Sequence, residues 1–205
     1  MKLKEYFLIS MLLCILSFHA QNYKSLDQVN GLSVGDQVDH LNLQLLQNKK
    51  TSLDKLLEHN EYLVMVFYRG QWCPVCNKHL SMLNERYTDI KEYDAELIAI
   101  SPEKPDYQAK TQEKTGAQFL LAYDKNFQIS KTFDALYQPN GAKRTMYNVA
   151  LGAHLKKAHS DKSQRLPVPA TFILNKDREI IWRQFDRDYK NRSTAKQILN
   201  ALQDA

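Results

Sequence analysis

Two cysteines, Cys73 and Cys76, are separated by two residues, the first of which is Pro74. They follow a short apolar run rich in β-branched and aromatic residues, Leu63 to Tyr68, which predicts a buried strand that ends before Gly70. Proline suits the first position of a helix because its missing N–H is not needed there. The pattern therefore places Cys73 at a helix N-cap and Cys76 one turn further in, within reach of a disulfide.

The N-cap position predicts that Cys73 is the better activated sulfur. Unpaired N–H groups and the positive end of the helix dipole favour a thiolate there, whereas Cys76 is expected to be more buried. A Cys-x-x-Cys pair is also half of a zinc site, which needs a second Cys or His pair at ligand spacing. The chain has no second Cys pair, and His154 and His159 lie far away in a lysine-rich segment. Redox chemistry at Cys73 and Cys76 is therefore favoured over structural metal.

The first twenty residues predict where this chemistry happens. Lys2 and Lys4 precede an almost wholly apolar run from Tyr6 to Phe18, which includes Cys14. This run is shorter than the roughly twenty residues of a bilayer span, so it is typical of a cleaved secretory signal. We expect an exported protein, periplasmic or secreted. An oxidising compartment holds such a cysteine pair as a disulfide unless a dedicated electron donor reduces it.

Length and charge limit the remaining function classes. The chain has 205 residues and a formal net charge of +5. We divide it into a signal (1–20), an N-terminal extension (21–37) and a single domain (38–205), the size of which allows a well-filled core. Basic residues are clustered only at Lys143-Arg144 and between Lys156 and Lys162, without interleaved aromatic residues. We therefore expect no nucleic-acid partner, and contact with a membrane only through the signal before cleavage.

Strand and helix patterns alternate along the domain, which predicts an α/β fold with a central mixed sheet flanked by helices. The predicted strands cover residues 39–46, 63–68, 97–100, 119–122, 170–174 and 179–185. The predicted helices cover 52–58, 74–93, 105–115, 126–133 and 193–202. Residues 136–165 give no clear pattern beyond a Pro-Asn-Gly turn at 139–141.

This order of elements resembles the thioredoxin fold. Val168-Pro169 stands where that fold carries a cis-proline beside its disulfide. An ordinary trans proline is favoured for any X-Pro bond taken alone, but the position directly before the predicted strand 170–174 favours the cis form here. The resemblance implies that the backbone of Val168 faces an incoming substrate and that Pro169 discourages metal binding. Val168, Pro169 and Trp72 are therefore candidate substrate-binding residues.

Four segments carry a narrower resemblance. They are Phe-Tyr-Arg-Gly-Gln-Trp-Cys-Pro-Val-Cys-Asn at 67–77, Ile-Ala-Ile-Ser-Pro-Glu at 98–103, Leu-Pro-Val-Pro-Ala-Thr-Phe-Ile-Leu at 166–174, and Phe-Asp-Arg-Asp-Tyr at 185–189 followed by Arg192. In order and spacing they are similar to the peroxiredoxin-like branch of the alkyl hydroperoxide reductase and thiol-specific antioxidant (AhpC/TSA) family.

Ordinary peroxiredoxins place the peroxide-attacking cysteine in a Pro-x-x-x-Thr-x-x-Cys frame, supported by a distant arginine. In that register the resemblance implies that Cys76 attacks the peroxide. The frame is altered at three positions: Arg69 replaces the proline, Cys73 replaces the threonine, and Pro169 lies near the position of the arginine. Arg69 is a candidate catalytic residue that supplies positive charge from a new direction; the alternative is a solvated loop arginine. Arg165 is a weaker candidate for the lost arginine.

The resemblance implies a thioredoxin-dependent peroxidase that reduces hydrogen peroxide and organic hydroperoxides through a Cys73/Cys76 dithiol–disulfide cycle. The first alternative is a thioredoxin-type protein disulfide reductase, in which Cys73 attacks and Cys76 resolves. The second is a copper(I) chaperone in which the thiols act with a histidine such as His154. For the peroxidase we expect a thioredoxin-like electron donor, no cofactor and no resident metal.

Overall fold

The computed structural model describes residues 23–205. The predicted signal, with Cys14, lies outside these residues. The strands of the described part are β1 (Asn42–Leu45), β2 (Lys50–Ser52), β3 (Tyr62–Phe67), β4 (Ala95–Ser101), β5 (Leu120–Tyr123), β6 (Leu136–Tyr137), β7 (Leu166–Pro167), β8 (Ala170–Leu174) and β9 (Ile180–Phe185). The α-helices are α1 (Leu53–Glu58), α2 (Pro74–Glu85), α3 (Tyr87–Lys91), α4 (Pro105–Thr115), α5 (Gln128–Thr132), α6 (Gly141–Val149), α7 (Leu155–Ala158) and α8 (Ala195–Gln203). Between residues 23 and 205, no helix is long and apolar enough to cross a bilayer.

A mixed sheet forms the centre of the domain, as the sequence predicts. Its strand order is β2-β1-β5-β4-β3-β8-β9. β3, β4 and β5 are mutually parallel neighbours, whereas β8 pairs antiparallel with β3 and with β9. β6 and β7 form a separate antiparallel pair. The predicted α/β class is confirmed.

The strand before the cysteines is central because it buries side chains on both faces. Val64 and Val66 pack into the same hydrophobic cluster as the two cysteines and Leu80 of α2. Leu63, Met65 and Phe67 point into a second cluster on the opposite side of the sheet. A continuous apolar run of this kind is typical of a strand covered by helices on both faces. β3 therefore fixes the position from which the cysteine loop starts.

Residues 136–165 are more regular than the sequence indicates. The predicted turn at 139–141 is the start of α6, because the Asn140 side chain accepts a hydrogen bond from the Lys143 N–H at 2.9 Å and caps the helix. The predicted helix over 74–93 is two helices, α2 and α3, interrupted at Arg86, where φ is −115° and ψ is 14°. The other predicted elements are present with small shifts at their ends.

The predicted cis-proline is wrong. All peptide bonds within residues 23–205 are trans, including Val168-Pro169. The Val168 N–H donates to the Ala135 carbonyl at 2.7 Å, and the extended chain passes directly from β7 to β8. Because this donor is already paired and the Val168 side chain is fully buried, the structure gives no support to the prediction that its backbone faces a substrate.

The described part of the N-terminal extension lies against the domain. Val29 is fully buried, and the Gly35 N–H donates to the Ile180 carbonyl at 2.9 Å. The Arg187 guanidinium also donates to the Val29 carbonyl at 3.1 Å. These contacts attach the extension to β9 and the loop that follows it.

Candidate active site

The cysteines lie where local sequence rules predict. Cys73 is the N-cap of α2, Pro74 is the first helical residue, and the Cys76 N–H donates to Cys73 Sγ at 3.3 Å. Both residues are free thiols with no exposed surface. The site is therefore a reduced dithiol at a helix N-terminus, closed to solvent.

Arg69 is part of this site and is not solvated, since it is 3% exposed. Its Nη2 donates to Cys73 Sγ at 3.1 Å, and its Nη1 donates to the Tyr147 hydroxyl at 3.1 Å. The guanidinium also lies 5.2 Å from the ring centroids of Trp72 and Tyr147 and 4.2 Å from that of Tyr189. Stacking and hydrogen bonds fix its orientation toward the sulfur.

Arg192 supplies a second positive charge, at the other sulfur. Its Nη2 donates to Cys76 Sγ at 3.5 Å, and its Nε donates to the Tyr189 carbonyl. The loop between β9 and α8 thus brings Tyr189 onto Arg69 and Arg192 onto Cys76. Arg192 belongs to the fourth matching segment, but no local sequence pattern predicts its contact with Cys76.

The backbone beside Arg192 is anchored by buried polar contacts. His79, one turn after Cys76, donates from Nε2 to the Ser193 carbonyl at 2.8 Å. The hydroxyls of Ser193 and Thr171 are 2.8 Å apart. Burial, assisted by the charge of Arg192, lowers the pKa of His79 to about 4. A neutral His79 therefore acts here as a hydrogen-bond donor that ties the Arg192 loop to α2.

The pKa values of the two thiols are shifted in opposite directions. Burial opposes ionisation of Cys76, but a hydrogen bond from Cys73 and the charges of Arg192 and Arg69 hold its pKa well below the usual range. The hydrogen bond to Cys76 and burial raise the pKa of Cys73, although Arg69 works against them. A thiolate at one sulfur disfavours a second one beside it, and these pKa directions favour Cys76. The N-cap position and the hydrogen bonds from Arg69 Nη2 and the Cys76 N–H favour Cys73 instead, so the better activation of Cys73 stays a prediction.

Trp72 and Tyr147 belong to the same buried cluster as the two cysteines. Their ring centroids are 5.0 Å apart, and they are 5% and 4% exposed. Tyr147 belongs to α6, in the region for which the sequence analysis predicts no element. Trp72 contacts Arg69 and Tyr147 here, and its role in substrate binding stays a prediction.

The buried carboxyl group of Glu103 is hydrogen-bonded to the loop that precedes Cys73. Glu103 has no exposed surface; its Oε2 accepts from the Gln71 N–H at 2.7 Å, and its Oε1 has no partner. Gly70 has a φ of +153°, and a Cβ there would lie 2.6 Å from both Glu103 Oε1 and Trp72 Nε1. Glycine is thus required at position 70 so that Glu103 and Trp72 can approach the backbone.

Burial raises the pKa of Glu103 from its ordinary value of 4.5 to about 8, against the Gln71 hydrogen bond and with help from the charge of Cys76. The folded protein therefore holds a proton there that the unfolded chain releases above pH 4.5, so this group makes stability fall as pH rises toward 8.

We expect Glu103→Gln to remove this dependence. Relative to the wild type, the variant gains stability between pH 4.5 and 8 by at most about 5 kcal/mol. Urea unfolding at several pH values measures the difference. Glu113→Gln, at an exposed position, is the control, and parallel pH profiles for Glu103→Gln and wild type would contradict the assignment.

Two other predicted candidates lie elsewhere. The Arg165 guanidinium contacts Asp161 at 3.3 Å and stacks on Tyr23 and Phe127, with 4.2 Å and 4.8 Å to the ring centroids. It does not reach the sulfurs as the lost arginine would. In the described part of the chain, no three His, Cys, Asp or Glu side chains are grouped so as to hold a metal ion, so His154 does not complete a copper site with the cysteines.

A mixed sheet that delivers a dithiol onto a helix N-terminus between two arginines defines a thiol oxidoreductase of thioredoxin-like fold. The sequence profile of the AhpC/TSA family matches residues 34–183, and the chain belongs to this family. Membership implies, in general terms, a reducible substrate and a thiol electron donor. The family predicted from the sequence is confirmed.

Relatives of two kinds are similar to the chain. The thiol-disulfide oxidoreductase ResA of Bacillus thuringiensis subsp. konkukian is 23% identical over 168 residues, 82% of this chain and 75% of that protein. Peroxiredoxin Bcp of Bacillus subtilis is 28% identical over 74 residues, 36% of this chain and 47% of that protein. Among solved structures, peroxidoxin BcpB of Mycobacterium tuberculosis has a TM-score of 0.64 at 19% identity and covers 84% of this chain and 97% of its own. That likeness confirms the thioredoxin-like fold.

Proposed function

We propose that the protein is a peroxidase that reduces hydrogen peroxide and organic hydroperoxides with Cys76 as the attacking thiolate. The observation that carries this proposal is the environment of Cys76, the sulfur with the lowered pKa, beside the Arg192 guanidinium at 3.5 Å. A thiolate is the nucleophile in such chemistry. A peroxidase site also needs a donor for the oxygen that leaves, and Arg192 Nη1 is buried and unpartnered.

The chemistry balances with the groups present. The Cys76 thiolate attacks the OH oxygen of the peroxide and the O–O bond breaks. The second oxygen leaves as water or alcohol after it takes up one proton, equivalent to the proton that Cys76 released on ionisation. Cys76 is then a sulfenic acid, which Cys73 attacks to form a disulfide and release water. Arg69, which donates to Cys73 Sγ, stabilises the sulfur that performs this second step. Two electrons and two protons from a thioredoxin-like donor restore the dithiol.

The closed site favours a small oxidant. Neither sulfur has exposed surface, and the rings of Trp72 and Tyr147 are packed in the same buried cluster. A molecule the size of hydrogen peroxide needs a smaller displacement of these rings than a bulky hydroperoxide or a protein disulfide does. We therefore expect hydrogen peroxide to react faster than a bulky organic hydroperoxide.

Protein disulfide reduction is the second candidate. It is favoured by Cys73 at the N-cap with Pro74 after it, and by the similarity to ResA, which is named a thiol-disulfide oxidoreductase. The burial of both sulfurs weighs against it, because a disulfide substrate must reach one of them directly.

Stopped-flow oxidation of the reduced protein tests the proposal. We expect tryptophan fluorescence to report a second-order reaction with hydrogen peroxide at least about a hundredfold faster than that of a free thiol at the same pH, because the site supplies a thiolate and two cations. Insulin disulfide reduction is measured in parallel. A rate equal to that of a free thiol, together with efficient insulin reduction, would establish the second candidate instead.

Export is also part of the proposal, since the first twenty residues have the charge and hydropathy of a secretory signal. N-terminal sequencing of the protein recovered from fractionated cells tests it. A chain that still begins at Met1 in the cytoplasmic fraction would contradict export.

A further inference from the structure

Helix α6 has two functional faces. Tyr147 points inward, into the buried cluster of the two cysteines, and accepts a hydrogen bond from Arg69, whereas Met146 and Val149 point outward and are 47% and 79% exposed. Leu151, just after the helix, is 37% exposed. Val34 and Met82 are the other large apolar residues exposed to this degree within residues 23–205. The outer surface formed by Met146, Val149 and Leu151, called here the α6 patch, is thus a local concentration of exposed apolar side chains.

The surroundings of the α6 patch are basic. The sequence contains no Asp or Glu between Ala135 and Ser160. Lys143, Lys156 and Lys157 in this segment are exposed. The Leu155 N–H donates to the Asn148 side chain at 2.8 Å, which holds α7 and its two lysines beside α6. A partner with an apolar contact area and acidic residues around it complements this surface.

Reduction of the enzyme needs this part of the structure to move. A donor thiolate must approach a sulfur in line with the disulfide bond, yet both sulfurs are fully buried in the same cluster as Tyr147 and Trp72. α6 is flanked by glycine at both ends: Gly141 begins it, and Gly152 follows it with a φ of +62°. A Cβ at either glycine would meet no atom within 4 Å, so there is open space beside the backbone at both positions.

We propose that the α6 patch is the docking surface for the electron donor, an acidic dithiol protein with an apolar surface around its cysteines, and that docking moves Tyr147 away from Arg69 and opens a path to Cys73. This inference rests on the proposed function only in requiring a Cys73–Cys76 disulfide. One donor thiolate attacks Cys73 Sγ, the S–S bond breaks, and Cys76 leaves as a thiolate beside Arg192. The second donor thiol then displaces Cys73, so the donor ends as a disulfide and the enzyme gains two electrons and two protons.

The test separates docking from peroxide chemistry. The disulfide is formed with diamide, so that the result does not depend on the natural oxidant. Its reduction is then followed with reduced bacterial thioredoxin, an acidic dithiol protein, and separately with dithiothreitol. The variants are Val149→Glu and the double variant Lys156→Glu/Lys157→Glu. Val34→Glu and Lys49→Glu/Lys50→Glu are matched controls at exposed positions outside the α6 patch.

We expect both α6-side variants to be reduced by thioredoxin at least about tenfold more slowly than the wild type, since they place negative charge against an acidic partner. Dithiothreitol reduces all variants at rates within about twofold of the wild type, because a small thiol needs no docking surface. Equal slowing by the control variants would overturn the proposal. So would a wild type that thioredoxin reduces no faster, per thiol, than dithiothreitol does.

Discussion

Cys76→Ser is expected to abolish hydroperoxide consumption, whereas Cys73→Ser retains one round of oxidation. For Cys76→Ser the second-order rate with hydrogen peroxide falls at least about a thousandfold, as is usual when a nucleophile is removed. The reason is the distribution of charge in the pair: Arg192 and Arg69 hold the pKa of Cys76 low, whereas the pKa of Cys73 is raised by its hydrogen bond to Cys76. We therefore expect Cys76 to be the sulfur that ionises first.

In Cys73→Ser the sulfenic acid on Cys76 has no thiol with which to condense. We expect it to accumulate as a product heavier by one oxygen atom, detected by intact mass spectrometry, and to react with a dimedone probe. Turnover with thioredoxin then falls even though the first oxidation is preserved. The reverse result, fast oxidation of Cys76→Ser and none of Cys73→Ser, would place the attacking sulfur at the N-cap and contradict the mechanism.

The elements that present the cysteines are predictable because their signals are local. The apolar run of β3, the N-cap at Cys73 and the proline after it lie within a dozen residues, and each has a direct physical meaning. The later strands and helices are also predictable, because their sequence patterns are local too. The helix α6 is missed because its start depends on a single capping contact at Asn140.

The electrostatics of the site are less predictable because they depend on distant residues. Whether Arg69 is buried or solvated is decided by Tyr147, 78 residues away in the chain. The positive charge beside Cys76 is the guanidinium of Arg192, 116 residues away in the chain. The helix N-terminus by itself favours a thiolate at Cys73. The two sulfurs are a coupled pair, however, so the charge of each also depends on the other.

Arg192→Ala is expected to show the second large effect, a loss of about tenfold to a hundredfold in the rate of oxidation by hydrogen peroxide at pH 7. Hydrogen bonds to charged groups are worth about 1.5–3 kcal/mol, and about 1.4 kcal/mol corresponds to a factor of ten. The loss is pH-dependent. Because Arg192 lowers the pKa of Cys76, its removal moves the rise of the rate with pH to higher values, and part of the lost rate returns in alkaline solution.

Two further variants separate charge from geometry. Arg192→Lys keeps a positive charge but loses the planar guanidinium, which donates to both Cys76 Sγ and the Tyr189 carbonyl. We therefore expect an intermediate rate of oxidation. Arg187→Ala removes an arginine of the same loop that donates to the Val29 carbonyl and not to a cysteine. It should leave the pH–rate profile of oxidation unchanged. An Arg192→Ala enzyme that is slower at every pH by the same factor would show that the arginine acts on the peroxide after ionisation and does not set the charge of Cys76.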